Sequence, residues 1–269
     1  MTCVAAIQMA SGPNIDANIN EASRSIKAAK DAGAELIVLP ENFALMGMHE
    51  IDHVKNAETY GSGKIQDFLA EQATKNGVWI VGGTIPIAVS ESDRARSACI
   101  VFNDQGEEVA RYDKIHLFDV DLVDANENYT ESETIEPGDE VVVFDSPFGK
   151  IGLAICYDLR FPEQFRAMLD KGAEILAVPS AFTAITGKAH WEIIVRARAI
   201  ENSSYIIAAA QGGYHVNGRE TFGDSMIVDP WGAVIDRLPS GSGYVVAKLD
   251  KERLNSIRRN FPSISHRKL

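Results

Sequence analysis

Cysteine is scarce: 269 residues hold only Cys3, Cys99 and Cys156, an odd number. Each lies among apolar neighbours rather than at the spacings of a disulfide framework, so free thiols in a reducing cytoplasm are expected. No apolar run approaches the roughly 18 residues that a bilayer span requires. The chain opens directly as a strand, Met1-Thr-Cys-Val-Ala-Ala-Ile, with no basic leader ahead of it. Positive charge is also short, with 26 Lys and Arg against 38 Asp and Glu and a net charge of −12. That balance argues against nucleic acid or an anionic membrane surface as partner. Phosphate-cradling loops are missing as well. Neither G-x-G-x-x-G nor G-x-x-x-x-G-K-[ST] occurs, and Gly61-Ser-Gly63-Lys64 lacks the partners of either. The G-x-S-x-G elbow of a serine hydrolase is absent too.

What is present is an alternation of strand and helix. Thr2–Gln8, Glu35–Leu39 and Trp79–Ile87 read as strands; Ile19, Ala22, Ile26 and Ala29 recur at helical spacing, as do Ile65, Phe68, Leu69 and Ala73. Gly33, Gly77 and Gly172 fall where helix C-caps belong. The pattern then repeats. Asp31-Ala-Gly-Ala-Glu-Leu-Ile-Val-Leu-Pro40-Glu-Asn-Phe43 is echoed by Asp170-Lys-Gly-Ala-Glu-Ile-Leu-Ala-Val-Pro179-Ser-Ala-Phe182. Val4–Gln8 is echoed by Gly152–Cys156, and Cys99–Gly106 by Ser225–Gly232. Three echoes in the same order predict a duplicated α/β architecture, each half giving a mixed sheet and two helices, with the sheets face to face and the helices outside. With 45% hydrophobic residues and no linker between the halves, residues 1–269 read as one domain. Leu122–Gly138, acidic and rich in turn formers, reads as a site-forming loop or insertion.

The repeat isolates what the halves do not share. Glu41 follows Pro40 where Ser180 follows Pro179, and Cys156 stands where the first half has Gln8. Strand C-termini are where α/β sheets gather ligands. Cys156 ends a buried run just ahead of Pro162, the expected first position of a helix, and that placement favours a thiolate or a developing oxyanion. A lone cysteine in a strand is more often a small core residue, but Glu41 and Lys114 change its meaning. Lys114 follows a strand-like segment among aromatics. A cysteine nucleophile needs a base, which Glu41 would supply; a tetrahedral intermediate needs donors, which Lys114 and the Tyr157 backbone N–H would supply.

Taken in order, Pro40-Glu41-Asn-Phe, Tyr112-Asp-Lys114-Ile-His-Leu-Phe-Asp and Ile155-Cys156-Tyr-Asp-Leu-Arg-Phe-Pro-Glu163 resemble the nitrilase, or carbon–nitrogen hydrolase, superfamily across essentially the whole chain. The resemblance implies a four-layer αββα sandwich that usually dimerises, with Glu41 as base, Lys114 as oxyanion stabiliser and Cys156 as nucleophile. It also implies that no metal or organic cofactor is needed. Glu131 matches the second glutamate of the family, with Glu133 the adjacent alternative. Cys-Tyr-Asp is similar to the amidase branches rather than to the Cys-Trp-Glu of nitrile hydrolysis. Pro179-Ser-Ala-Phe182-Thr-Ala-Ile-Thr186-Gly-Lys-Ala-His190-Trp-Glu and Arg196-Ala-Arg-Ala-Ile-Glu201 resemble the deaminated-glutathione amidases, with ω-amidases of α-ketoglutaramate, or another amide or N-carbamoyl hydrolase, as the alternative. The implied reaction passes through a cysteine thioester and releases ammonia from a small anionic amide. Arg160 is then expected to clamp a substrate carboxylate, its competing role being a salt bridge to an acid such as Glu163. Phe182 and Thr186 are expected to line the pocket. One departure stands out: Asp224 occupies the middle of Gly223-Asp-Ser225, where related amidases usually have His. The helix around Trp191–Ser203, through Ile194, Ala197 and Ile200, is one expected dimer surface.

Two remoter readings remain. His49-Glu50-Ile-Asp-His53 fits the H-E-x-x-H zinc-protease motif, although its flanks give little support for a buried helix. A non-catalytic binding protein of the same fold would be expected to have lost Glu41, Lys114 or Cys156, and all three are present.

Overall fold

Short, nearly continuous apolar runs build two mixed sheets. The computed structural model describes residues 1–122 and 127–268. Its first half runs β1 (Thr2–Gln8), α1 (Ile15–Asp31), β2 (Leu36–Val38), α2 (Ile51–Lys55), α3 (Lys64–Asn76), β3 (Trp79–Val81), β4 (Ile85–Ala88), β5 (Ala95–Phe102) and β6 (Glu108–Asp113). A ribbon of β7 (Asp119–Leu122) and β8 (Glu127–Thr130) leads to β9 (Val143–Ser146), β10 (Gly149–Leu153), α4 (Pro162–Asp170), β11 (Ile175–Ser180), α5 (Ala184–Asn202) and β12 (Tyr205–Ala210). The chain ends through the hairpin β13 (Gly212–Tyr214) and β14 (Glu220–Phe222), then β15 (Ser225–Val228), β16 (Val234–Leu238), β17 (Gly243–Leu249) and α6 (Lys251–Asn260).

The duplication is plain in the strand pairing. β1, β2 and β3 are parallel neighbours, followed by antiparallel β5 and β6. In the second sheet β10, β11 and β12 are parallel, followed by antiparallel β15 and β16. β17 then crosses back and pairs antiparallel with the whole of β1, from Thr2 opposite Leu249 to Gln8 opposite Gly243. Val4, Ala6, Leu36 and Val38 share a core with Ala177, Val178 and Ile207 of the other sheet. Their alternates Ala5, Ile7, Ile37 and Leu39 pack on Ala22, Ile26 and Ala29 of α1 and on Ile65, Leu69 and Ala73 of α3. On the opposite side Phe165 and Met168 of α4 and Trp191, Val195 and Ala199 of α5 cover the second sheet. The architecture is the αββα sandwich, and its central strands read as near-continuous apolar runs, such as Leu36–Val38 and Tyr205–Ala210, because both sheet faces are buried.

Several local expectations shift. The stretch from Trp79 to Ile87 is not one strand: it breaks at Gly82-Gly83-Thr84 into β3 and β4. Gly83 adopts φ +58°, and a Cβ there would stand 2.2 Å from the Pro40 carbonyl oxygen, so only glycine fits. Of the three glycines expected as caps, Gly77 is the left-handed C-cap of α3, whereas Gly33 and Gly172 stand one residue beyond the caps Ala32 and Lys171. Within Leu122–Gly138 the described residues form β8 and a 3-10 turn over Glu131–Glu133; residues 123–126 lie outside those described. α5 begins at Ala184, earlier than Trp191, because the Thr183 side chain caps it by accepting from the Thr186 N–H.

Candidate active site

Glu41, Lys114 and Cys156 each follow the end of a strand, β2, β6 and β10 respectively. Glu41 follows β2, in a segment pinned by the Leu39 N–H on the Val81 carbonyl (3.0 Å) and by the Asn42 N–H on the Thr84 hydroxyl (2.8 Å). Lys114 is the first residue after β6, its N–H on the Ser97 carbonyl and its carbonyl on the Gly138 N–H. Cys156 opens a 3-10 turn, Cys156–Arg160, in the left-handed conformation (φ 45°). A non-glycine residue held there marks strain that the surroundings must enforce. The enforcing group is Asp158, fully buried, whose carboxylate accepts from the Ile155 N–H (2.8 Å), the Tyr112 hydroxyl (2.7 Å), the His116 N–H (3.1 Å) and the His116 ring (2.8 Å). One carboxylate thereby ties the turn of Cys156 to the segment carrying Lys114.

The ammonium of Lys114, only 2% exposed, donates to Glu41 Oε1 at 2.8 Å and to both oxygens of Glu131 at 3.0 and 2.9 Å. Glu131 is in turn fixed by the Phe118 N–H (2.6 Å). Glu133, the alternative to Glu131, is exposed. Cys156 lines the same pocket as these three, and its Sγ accepts from the Ala181 N–H at 3.5 Å. Burial pulls the Lys114 pKa down, but the Glu131 and Glu41 carboxylates outweigh it and hold the ammonium well above its ordinary value. Burial raises Glu131, against the pull of Lys114. The Cys156 thiol is pushed well above its ordinary value, first by burial and then by the Glu41 charge, with Lys114 opposing. The helix-end argument for a thiolate is opposed by the Glu41 carboxylate, which arrives from the other half and disfavours the charged sulfur. A 3-10 turn, moreover, separates Cys156 from the start of α4. The equivalents that the repeat singled out are structural. Gln8 bridges the Ser225 N–H and the Gly241 carbonyl, and the Ser180 hydroxyl bonds the Val178 carbonyl.

The pocket is an open cleft of about 930 Å³, solvent at its mouth included. Arg160, Phe182 and Thr186 line it, as does Tyr157. Arg160 stands over the rings of Phe182 (5.2 Å) and Tyr157 (5.7 Å) and donates to His190 (3.3 Å). Among the described residues no ion pair includes it, so the Glu163 bridge is absent. The Tyr157 N–H lies in the first turn of the 3-10 segment, where a donor has no carbonyl within the turn to bond. Thr186 also serves the cap of α5, its hydroxyl 2.8 Å from that of Thr183. The H-E-x-x-H reading fails on geometry: His49 and Glu50 precede α2, which is only five residues long, so no helix presents both histidines on one face. Among the described residues no group of three His, Cys, Asp or Glu is arranged to hold a metal ion. Asp224 lies outside the pocket lining, paired with Arg237 through contacts of 2.9 and 2.5 Å, while its carbonyl accepts from Trp191, which packs on Phe182. Sequence reasoning missed Arg219 and His53, which also line the pocket. Arg219 had no motif around it, and His53 was visible only inside the zinc motif.

A carbon-nitrogen hydrolase family model matches residues 3–259. A deaminated glutathione amidase of Yersinia enterocolitica is 43% identical over 98% of this chain and 92% of its own length. The human deaminated glutathione amidase is 38% identical over 98% of this chain and 82% of its own. Among solved structures, the Caenorhabditis elegans NitFhit protein superposes with a TM-score of 0.92 at 34% identity, covering 99% of this chain and 65% of that longer chain. Saccharomyces cerevisiae Nit3, a member of branch 10 of the nitrilase superfamily, gives 0.88 at 31% identity over 97% and 94%. Fold, strand-end side chains and these likenesses agree, and the chain belongs to the carbon-nitrogen hydrolase family.

Proposed function

We propose that this hydrolase is a cysteine amidase acting on deaminated glutathione, with Glu41 as base, Cys156 as nucleophile, Lys114 and the Tyr157 N–H as oxyanion donors, and Glu131 as the residue that positions Lys114. The observation that carries the reading is the buried chain Glu41–Lys114–Glu131 in the pocket that Cys156 lines. The thiol passes its proton to Glu41 as sulfur attacks the amide carbon. The negative charge then builds on the carbonyl oxygen, where the ammonium and the peptide N–H stabilise it without reorganising. Collapse breaks the C–N bond, Glu41 returns the proton to the leaving amine, and a thioester remains. Glu41 next takes a proton from water as its oxygen attacks the thioester, and returns that proton to the Cys156 sulfur as the C–S bond breaks and the acid product leaves. The expected release of ammonia is thereby corrected: ammonia leaves only from a primary ω-amide, whereas the secondary amide of deaminated glutathione releases cysteinylglycine. Arg160, without an acidic partner among the described residues, is proposed to hold the oxo-acid carboxylate on the acyl side, with Phe182 and Thr186 beside it.

The names of the relatives favour deaminated glutathione over α-ketoglutaramate. We further propose that the whole chain works as one domain and that it acts in the cytoplasm, where its three free cysteines stay reduced. A homodimer is proposed on the outer face of α5, beside Trp231 and Phe261. The test is amine and ammonia release from deaminated glutathione, α-ketoglutaramate, a nitrile and an N-carbamoyl amino acid. Deaminated glutathione should be preferred, and Cys156→Ala or Glu41→Gln should each lower kcat about 1,000-fold or more. Preference for the nitrile or the carbamoyl substrate would sink the assignment.

A further inference from the structure

Two guanidinium groups line the pocket, and among the described residues neither is ion-paired. Arg160 comes from the turn that carries Cys156. Arg219 comes from the connection between β13 and β14. It donates to the Ala181 carbonyl (3.0 Å) and lies 5.0 Å from the centre of the Tyr129 ring, leaving its Nε buried without an acceptor among the described residues. A buried guanidinium donor with no acceptor is costly. In a protein of net charge −12 that already holds Glu41 and Glu131 in the site, a second free arginine calls for an anionic ligand.

We propose that Arg219 is a second anion subsite, recognising a carboxylate on the amine side of the scissile bond, opposite the acyl-side carboxylate assigned to Arg160. This rests on the amidase reading above. The side follows from the connections of the hairpin. Gln211, at the foot of β13, donates to the Glu41 carbonyl (3.0 Å), and Asn217 donates to the Gly47 carbonyl (2.7 Å) in the loop that continues from Glu41. Arg219 is thus carried on the flank of Glu41, the group that protonates the departing amine. Arg160 sits instead with Tyr157 and Phe182 on the flank of the nucleophile. Ala181 links Arg219 to the nucleophile, its carbonyl accepting from Arg219 and its N–H donating to Cys156. An amide bearing carboxylates on both sides, as deaminated glutathione does, would engage both arginines. A primary ω-amide of an oxo-acid would engage only one. Arg219 is therefore the residue that separates the two substrate classes.

The test compares deaminated glutathione with the same molecule bearing a carboxamide in place of its glycine carboxylate, and with α-ketoglutaramate. The quantity read is the ratio of kcat/KM for free over capped substrate. In the unsubstituted enzyme that ratio should be about 10 to 100, the worth of a charge-assisted hydrogen bond. In Arg219→Gln it should fall towards one, mainly through KM, and Arg219→Lys should recover part of it. A ratio that survives in Arg219→Gln, or a uniform loss on all three substrates, would show Arg219 to be only a structural prop and would leave the amidase assignment standing. No turnover of either oxo-acid amide by the unsubstituted enzyme would overturn the proposed function and the subsite together.

Discussion

Lys114 keeps its charge where almost no water reaches, and two carboxylates are what make that affordable. Removing the cation leaves Glu41 and Glu131 facing each other in a dry site, a larger penalty than the loss of two hydrogen bonds. Lys114→Met should therefore abolish turnover and lower the unfolding free energy by about 3–5 kcal/mol. Adding Glu131→Gln should restore most of the stability but none of the activity. Because folding raises the Lys114 pKa above its ordinary 10.5, its stabilising effect is complete below that pH and is lost as pH rises through the folded value. The stability difference between wild type and Lys114→Met, followed by urea unfolding, should hold from neutral pH to about 9.5 and shrink above 10.5. A difference that shrank instead between pH 7 and 9 would contradict the charge balance described.

At the scale of the element, the loop carrying Glu41 depends on a break in its neighbour. Gly83 and Gly77 share φ +58°, yet a Cβ at Gly77 would meet nothing within 4 Å, whereas one at Gly83 would strike the Pro40 carbonyl. The pair separates backbone strain from collision. Gly77→Ala should cost only about 1 kcal/mol, the left-handed penalty, with kcat intact. Gly83→Ala should cost about 1–3 kcal/mol more and lower kcat on the order of 100-fold, because Pro40 and Glu41 must move together. Thermal unfolding and steady-state kinetics on both variants would check this; equal kinetics would remove the Gly83 contact from the account. The break between β3 and β4 was also the element most easily misread. Trp79–Val81 and Ile85–Ile87 are two apolar runs that read as one, and only the diglycine between them signalled the turn. α1, α3 and the strands β1, β2, β5, β10, β11 and β15 were legible because each buries a regular apolar stripe or run, whereas α2 buries no side chain and β17, which completes the first sheet, went unread. Glu41, Lys114 and Cys156 were legible because each sits in its own local motif. Arg219 was not, since the groups that give it meaning, Ala181 and Tyr129, are 38 and about 90 positions away.

The molecule as a whole is two similar halves stitched by β17, which leaves the second sheet's side of the chain to complete the first sheet on β1. That crossing places Glu41 of one half against Cys156 of the other. It also leaves both outer helical layers free to meet solvent or another chain, and the two layers differ. On α5, Ile193 is 71% exposed, with Ile200 two turns further along the same face. Ile200 abuts Gly232, next to Trp231, whose ring packs edge-on against the exposed Phe261 at 5.4 Å. Four large apolar side chains grouped in this way form a patch of the kind that monomers rarely leave open, and the proposed homodimer would cover it. Burial there would add a second consequence, because α5 also carries Trp191 against Phe182 in the pocket wall. The wild-type protein should sediment at twice the chain mass of 29.3 kDa. Ile193→Glu combined with Ile200→Glu should give a folded monomer, with unchanged circular dichroism but raised KM as the α5 wall of the pocket loosens. A wild-type protein that sediments as a monomer at tens of micromolar would remove the proposed interface, and an unaltered KM in the monomeric variant would uncouple it from the pocket.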